Sequence, residues 1–140
     1  MNVLFVCTGN TCRSPMAEGF FNSIYGSGAK SAGIYTEDGA APSENAVKAM
    51  KKYGIDISEH KAKQISPEDI INADKIYAMT TRHAAILKEI FPEKADNIFI
   101  LGNGIPDPFG GDEELYLKCA EEIKNAYQKS KLNNDYGDST

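Results

Sequence analysis

The stretch VCTGNTCRSP near the start of the chain sets a thiol at Cys7 and a guanidinium at Arg13, with five residues between them. Among those five, Gly9 and Asn10 are the residue types that enter left-handed backbone at low cost. A loop curled through Thr8, Gly9, Asn10, Thr11 and Cys12 would turn successive N–H groups inward, making an anion nest at a helix start. The planar fork of Arg13 can pair with two oxygens of a tetrahedral dianion. The same positive surroundings favour thiolate over thiol at Cys7. One device would then bind a phosphoryl group and arm the nucleophile beneath it.

Such a loop needs elements to hold it. Asn2–Val6 is a short continuous apolar run, the pattern of a strand buried on both faces. A helix is expected to follow, with Ser14 as N-cap, Pro15 in its first position and Met16, Phe20 and Ile24 as its buried stripe. Gly26 and Gly28 close it. Further strands are expected at 30–35, 75–79 and 97–101. Helices are expected after Ser43, with Val47, Met50 and Tyr53 inward, and after Ser66, which begins a capping-box pattern with Asp69. Another spans 82–90 before Pro92, and a last one opens at Asp112–Glu114 with Leu115, Cys119 and Ile123 buried. The final KLNNDYGDST reads as frayed. Strands alternating with helices define an α/β domain with a parallel sheet, whose functional loops lie beyond the carboxyl ends of the strands. The loops after the first and fourth strands both fall on that edge.

Composition narrows the function. With 140 residues, 41% of them hydrophobic, the chain reads as a single domain spanning 1–140, large enough for a substantial core. A formal charge of −5 argues against nucleic acid or an anionic membrane as partner. No apolar run reaches membrane-spanning length, and three cysteines are too few for a secreted disulfide framework. The expected place is the cytoplasm. Paired Cys-x2-Cys or His-x3-His spacing is absent, as is a Walker-type loop, so neither a metal nor a nucleotide cofactor is expected.

Cys7-x5-Arg13-Ser14 in the wording CTGNTCRSPMAE, joined to the late Asp107-Pro108-Phe109, resembles the low-molecular-weight protein tyrosine phosphatase family over nearly the whole chain. The resemblance implies a three-layer sandwich whose four-stranded parallel sheet runs in the flavodoxin-like order 2-1-3-4. It implies phosphorylated proteins as substrates, and a monomer or weak homodimer. It also implies two-step catalysis, with Cys7 as nucleophile, Arg13 as stabiliser and Asp107 as acid and then base. Asn10, Ser14, Ser31 and His60 would form the network that shapes the loop, with Ser14 touching the sulfur.

Three branches of the family differ at informative positions. Tyrosine phosphatases usually carry a bulky aliphatic residue where Thr11 stands, whereas protein-arginine phosphatases resemble this chain there and at Thr80. A hydroxyl on the pocket wall can bond a guanidinium, and Phe109 would border the same leaving group. The favoured substrate is therefore protein phosphoarginine, with phosphotyrosine as the alternative. Arsenate reductases of the family need two further cysteines mid-chain, and none lies between Cys12 and Cys119. A catalytically dead phosphate-binding module would not need Cys7, Arg13 and Asp107 together.

Simpler readings stand beside these. Two remain for Cys12: quiet packing, or a disulfide partner that protects Cys7. Cys119 reads as core, His83 as an exposed and idle helix-start residue, Tyr116 as a helix-surface tyrosine, and Tyr35 as a candidate for the pocket rim.

Overall fold

The computed structural model describes residues 1–129. The frayed segment expected at 131–140 lies outside them. Strand β1 spans Val3–Cys7, β2 Ala29–Gly33, β3 Lys75–Ala78 and β4 Ile98–Ile100. Helices are α1 at Arg13–Tyr25, α2 at Glu44–Lys51, α3 at Pro67–Asn72, α4 at Thr81–Ile90 and α5 at Glu113–Lys129, with a 3-10 turn at Pro92–Asn97. The sheet is parallel throughout, in the order β2-β1-β3-β4. Both the architecture and the strand order agree with expectation.

β1 sits at the centre, and all five of its residues are buried. Its side chains alternate faces, as a period of two requires. Val3, Phe5 and Cys7 join the core beneath α1, α2 and α5, while Leu4 and Val6 face α3 and α4 with Ile70, Ala84 and Leu87. Phe5 packs against Phe21 and Tyr77, with ring centroids at 6.1 and 5.9 Å. Each such large side chain contributes about 1.5–3 kcal/mol on burial, so β1 is firmly fixed. The sheet reverses its winding between β1 and β3, and their carboxyl ends open the crevice where such folds place ligands.

Several local expectations need correction. α1 begins at Arg13 with Cys12 in the cap position, so Ser14 is not its N-cap and Pro15 is not its first residue. The loop runs directly into the helix, and the Ser14 hydroxyl is taken by Cys7 and Asn10 instead. The buried stripe of α1 is Met16, Ala17, Phe20 and Phe21, leaving Ile24 exposed. In α5 Cys119 and Ile123 are buried as expected, joined by Tyr116 and Ala120, while Leu115 is exposed. α2 turns Ala46, Ala49 and Met50 inward, with Val47 and Tyr53 packed at the margin. Ser43 precedes it without a side-chain cap. The capping box of Ser66 and Asp69 is present.

Candidate active site

The loop from Cys7 to Arg13 is defined by where its carbonyl groups go. Cys7 O accepts from Ile34 N at 2.9 Å, Thr8 O from Tyr35 N at 3.0 Å, and Thr11 O from Ser43 N at 2.8 Å. Asn10 O accepts from His60 Nε2 at 2.9 Å, and Cys12 O from Met16 N at 3.2 Å. In a trans peptide the N–H points opposite to the preceding C=O. The amides of Thr8, Gly9, Thr11, Cys12 and Arg13 are therefore turned to the inside of the loop, where they form an anion nest. Asn10 makes the reversal, with φ at 56°, an angle that asparagine tolerates. Gly9, expected to share that role, keeps ordinary backbone. Gly33 is needed for another reason, since a Cβ there would meet Thr8 O at 2.7 Å.

The fully buried Asn10 side chain organises the layer behind the loop. Its Nδ2 donates to Ser14 Oγ at 2.8 Å and to Ser31 Oγ at 2.9 Å, while Oδ1 accepts from Lys63 N at 2.9 Å. Ser31 Oγ passes its own hydrogen to Glu18 Oε1. Ser14 Oγ lies 2.9 Å from Cys7 Sγ. Because both amide hydrogens of Asn10 are committed, Ser14 accepts one and has its single hydrogen free for the sulfur.

Cys7, Thr8, Gly9, Thr11, Cys12 and Arg13 line a cavity of about 240 Å³ together with Asp107 and Phe109. Arg13 is only 4% exposed. Its Nη1 donates to Ile105 O at 2.9 Å, and Nη2 stands 3.6 Å from Asp107 Oδ2. Asp107 Oδ1 accepts from Phe109 N at 3.0 Å, holding the carboxyl over the mouth. Phe109 is 81% exposed at the rim. Burial pushes the Cys12 thiol up, against the lowering bond from Tyr116, whose hydroxyl is 3.3 Å from Cys12 Sγ. Burial first, then Cys12, raises Tyr116 to about 12, so both groups stay protonated at neutral pH.

Most of the expected site residues come together here, and two do not. Thr80 is absent from the cavity wall and caps α4, its side chain accepting from His83 N. Tyr35 is 85% exposed and lies off the cavity lining. Ser31 and His60 support the loop from behind, as described. Two residues were misread. His83 is buried and bonded to Thr8, not idle, and Tyr116 is buried against Cys12, not a surface group. A signal existed for each: His83 stands three residues after a capping threonine, and Tyr116 stands three before Cys119 on the inner stripe. Among the described residues no group of three His, Cys, Asp or Glu side chains is placed to hold a metal ion.

A parallel three-layer α/β fold with a cysteine at the foot of an amide-lined loop defines the cysteine-based phosphate-binding class. The pattern of the low molecular weight phosphotyrosine protein phosphatase family matches residues 2–134, and the chain belongs to that family. A protein-arginine-phosphatase of Geobacillus stearothermophilus is 38% identical over 87% of this chain and 88% of its own. The structure of the YwlE arginine phosphatase from the same species superposes with a TM-score of 0.90 at 35% identity, covering 99% of this chain and 97% of that one. A low molecular weight protein tyrosine phosphatase from T. tengcongensis gives 0.85 at 45% identity, over 92% and 96%. A YwlE mutant with serine in place of the active-site cysteine, solved with that serine phosphorylated, gives 0.87 at 32% identity over 92% of each chain.

Proposed function

We propose that this chain is a cysteine-dependent protein phosphatase that hydrolyses protein phosphoarginine through a cysteinyl-phosphate. The observation that carries the reading is a single cavity holding Cys7 at its foot, inward amides and Arg13 around it, and Asp107 at its mouth. Cys7 sulfur attacks phosphorus in line, forming the S–P bond as the P–N bond to the arginine breaks. Asp107 gives its proton to the departing nitrogen. The inward amides and Arg13 stabilise charge on the three equatorial oxygens. Water then attacks phosphorus, Asp107 takes its proton, and the S–P bond breaks with the electron pair returning to Cys7 sulfur. Ser14 stabilises that leaving thiolate through its free hydrogen. The phosphorylated serine in the related arginine phosphatase supports transfer to the side chain at this position.

Thr11 supports the arginine substrate. It lines the cavity with a hydroxyl group, which can partner a guanidinium N–H that an aliphatic wall would leave unpaired. The arginine-phosphatase relatives agree with this choice. Phosphotyrosine is the second reading, favoured by the exposed Phe109 ring, which offers a stacking face, and by the tyrosine-phosphatase neighbour. Three free cysteines and a thiol nucleophile suit a reducing compartment such as the cytoplasm. Paired kcat/KM measurements on phosphoarginine and phosphotyrosine peptides test the assignment. A higher value for phosphoarginine is expected, and the reverse order would move the chain to the tyrosine branch.

A further inference from the structure

His83 is a buried polar side chain whose two ring nitrogens are both engaged, yet the chemistry above makes no use of it. Its position follows from the sheet. β3 lies beside β1, and Met79 N donates to Val6 O, so the start of α4 is brought against Thr8. Thr80 caps that helix: its Oγ1 accepts from His83 N at 3.1 Å and lies 3.0 Å from His83 Nδ1. On the other side His83 Nε2 is 2.8 Å from Thr8 Oγ1. The chain Thr80–His83–Thr8 thus ends at the cavity wall beside Cys7.

Hydrogen counting separates two directions for this chain. Thr80 oxygen accepts the backbone N–H of His83, and it can either take a second hydrogen from Nδ1 or give its own hydrogen to Nδ1. With Nδ1 accepting, a neutral ring carries its hydrogen on Nε2 and donates it to Thr8 Oγ1. Thr8 then needs no hydrogen of its own for that bond. We propose that His83 is a positioning residue that, with its tautomer set by Thr80, turns the Thr8 hydroxyl hydrogen into the cavity as a donor to a tetrahedral oxyanion above Cys7. The inference rests on the anion-binding reading of the loop. The reverse polarity, with Thr8 donating to Nε2, would spend that hydrogen on the ring.

The surroundings keep the ring neutral. Burial pushes its pKa down to about 4, Arg13 from α1 and Arg82 from α4 add to the fall, and Asp107 from the loop after β4 opposes it.

Two measurements test the proposal. The first is the nitrogen-15 NMR spectrum of the parent imidazole, which is expected to show an unprotonated Nδ1 and a protonated Nε2. A ring protonated on Nδ1 overturns the inference even where no variant folds. The second is inorganic phosphate affinity in Thr8→Val, His83→Asn, the double variant and His83→Gln, with thermal midpoints recorded for each. The asparagine amide reaches the Nδ1 position only, and the glutamine amide reaches that of Nε2. Thr8→Val and His83→Asn should each weaken phosphate about tenfold, the size of one hydrogen bond to a charged acceptor. The double variant should be no weaker than either single one, and His83→Gln should recover most of the loss. Additive losses, or equal losses for asparagine and glutamine that follow the thermal midpoints, reduce His83 to packing. A parent that binds phosphate without turning over phosphopeptides fails the phosphatase reading and leaves this inference standing. Turnover with additive variants does the opposite, and a parent that binds no phosphate defeats both.

Discussion

The loop after β1 holds the carbonyl groups of Cys7, Thr8, Asn10, Thr11 and Cys12 from outside, and Asn10, Arg13 and Ser14 are buried. The loop after β4 reaches the same cavity differently. It is anchored at buried Ile105, whose N donates to Met79 O and whose O accepts from Arg13. Beyond that point Asp107 and Phe109 are exposed, with Phe109 N to Asp107 and Gly111 N to Pro108 as bonds internal to the turn. The difference follows the chemistry. A phosphoryl group presents the same oxygens in every substrate, so its cradle can be fixed in advance, which is where electrostatic stabilisation is strongest. The leaving group carries a whole protein behind it, so the proton donor stands where a large partner can approach.

If that division holds, variants in the first loop should abolish chemistry, while those in the second should act according to the leaving group. Cys7→Ser has the largest expected effect. A serine hydroxyl is a far weaker nucleophile than a cysteine sulfur, and kcat should fall by about 10⁴-fold or more, with phosphate binding retained. Activity within tenfold of the parent would remove the covalent mechanism. Asp107→Ala should cost about 10²–10⁴-fold with poor leaving groups and far less with good ones, since only the former need a proton early. A leaving-group series with one uniform loss would make Asp107 a purely structural residue. Neither change should move the thermal midpoint much.

Thr11→Ile tests whether the fixed loop also inspects the leaving group. Losing the hydroxyl leaves a guanidinium N–H unpaired at about 1–3 kcal/mol, or roughly 5–150-fold in the ratio of kcat/KM between phosphoarginine and phosphotyrosine peptides. Isoleucine is also β-branched, and the bond from Ser43 N to Thr11 O is made by the backbone, so the loop should keep its shape. An unchanged ratio, with phosphate affinity intact, would transfer selection to the second loop and Phe109.

The same contrast explains what could be read from sequence. β1 and the Cys7–Arg13 spacing were legible because a buried central strand and a phosphate loop each impose a narrow pattern on adjacent residues, whereas the strand order came only with the family resemblance. Ser14 was misplaced as a cap because its hydroxyl answers a tertiary need, the sulfur of Cys7, that local propensity does not contain. His83 and Tyr116 were missed for a related reason. Each also meets a residue 75 or 104 positions away, and the local signals, a capping threonine before His83 and the inner stripe of α5 for Tyr116, say that the side chain turns inward without naming that partner. Gly33 was seen only as strand, although its requirement comes from Thr8 O pressing on it.

The smallest predicted effect lies behind the fixed loop. Lys63 donates its backbone N–H to Asn10 Oδ1, and its ammonium bonds Asp69 Oδ2 at 2.5 Å in the first turn of α3. Burial acts to raise the Asp69 carboxyl, yet the bonds from Lys63 and Ser66 outweigh it and hold the group below its ordinary 3.8. A carboxyl depressed in the folded state contributes stability that is present above its unfolded value and is lost as pH falls through the folded one. The parent should therefore gain from Asp69 at neutral pH and lose that gain below about pH 4. Because the Lys63 side chain is half exposed, the gain is small, and Asp69→Asn should cost at most about 1 kcal/mol at pH 7. Urea unfolding of parent and variant at pH 7 and pH 3 measures it, with the two curves expected to converge in acid. A gap of equal size at both values would show that Asp69 acts through the Ser66 cap alone. A gap that also weakens phosphate binding at pH 7 would show that the support behind Asn10 sets the shape of the loop in front of it.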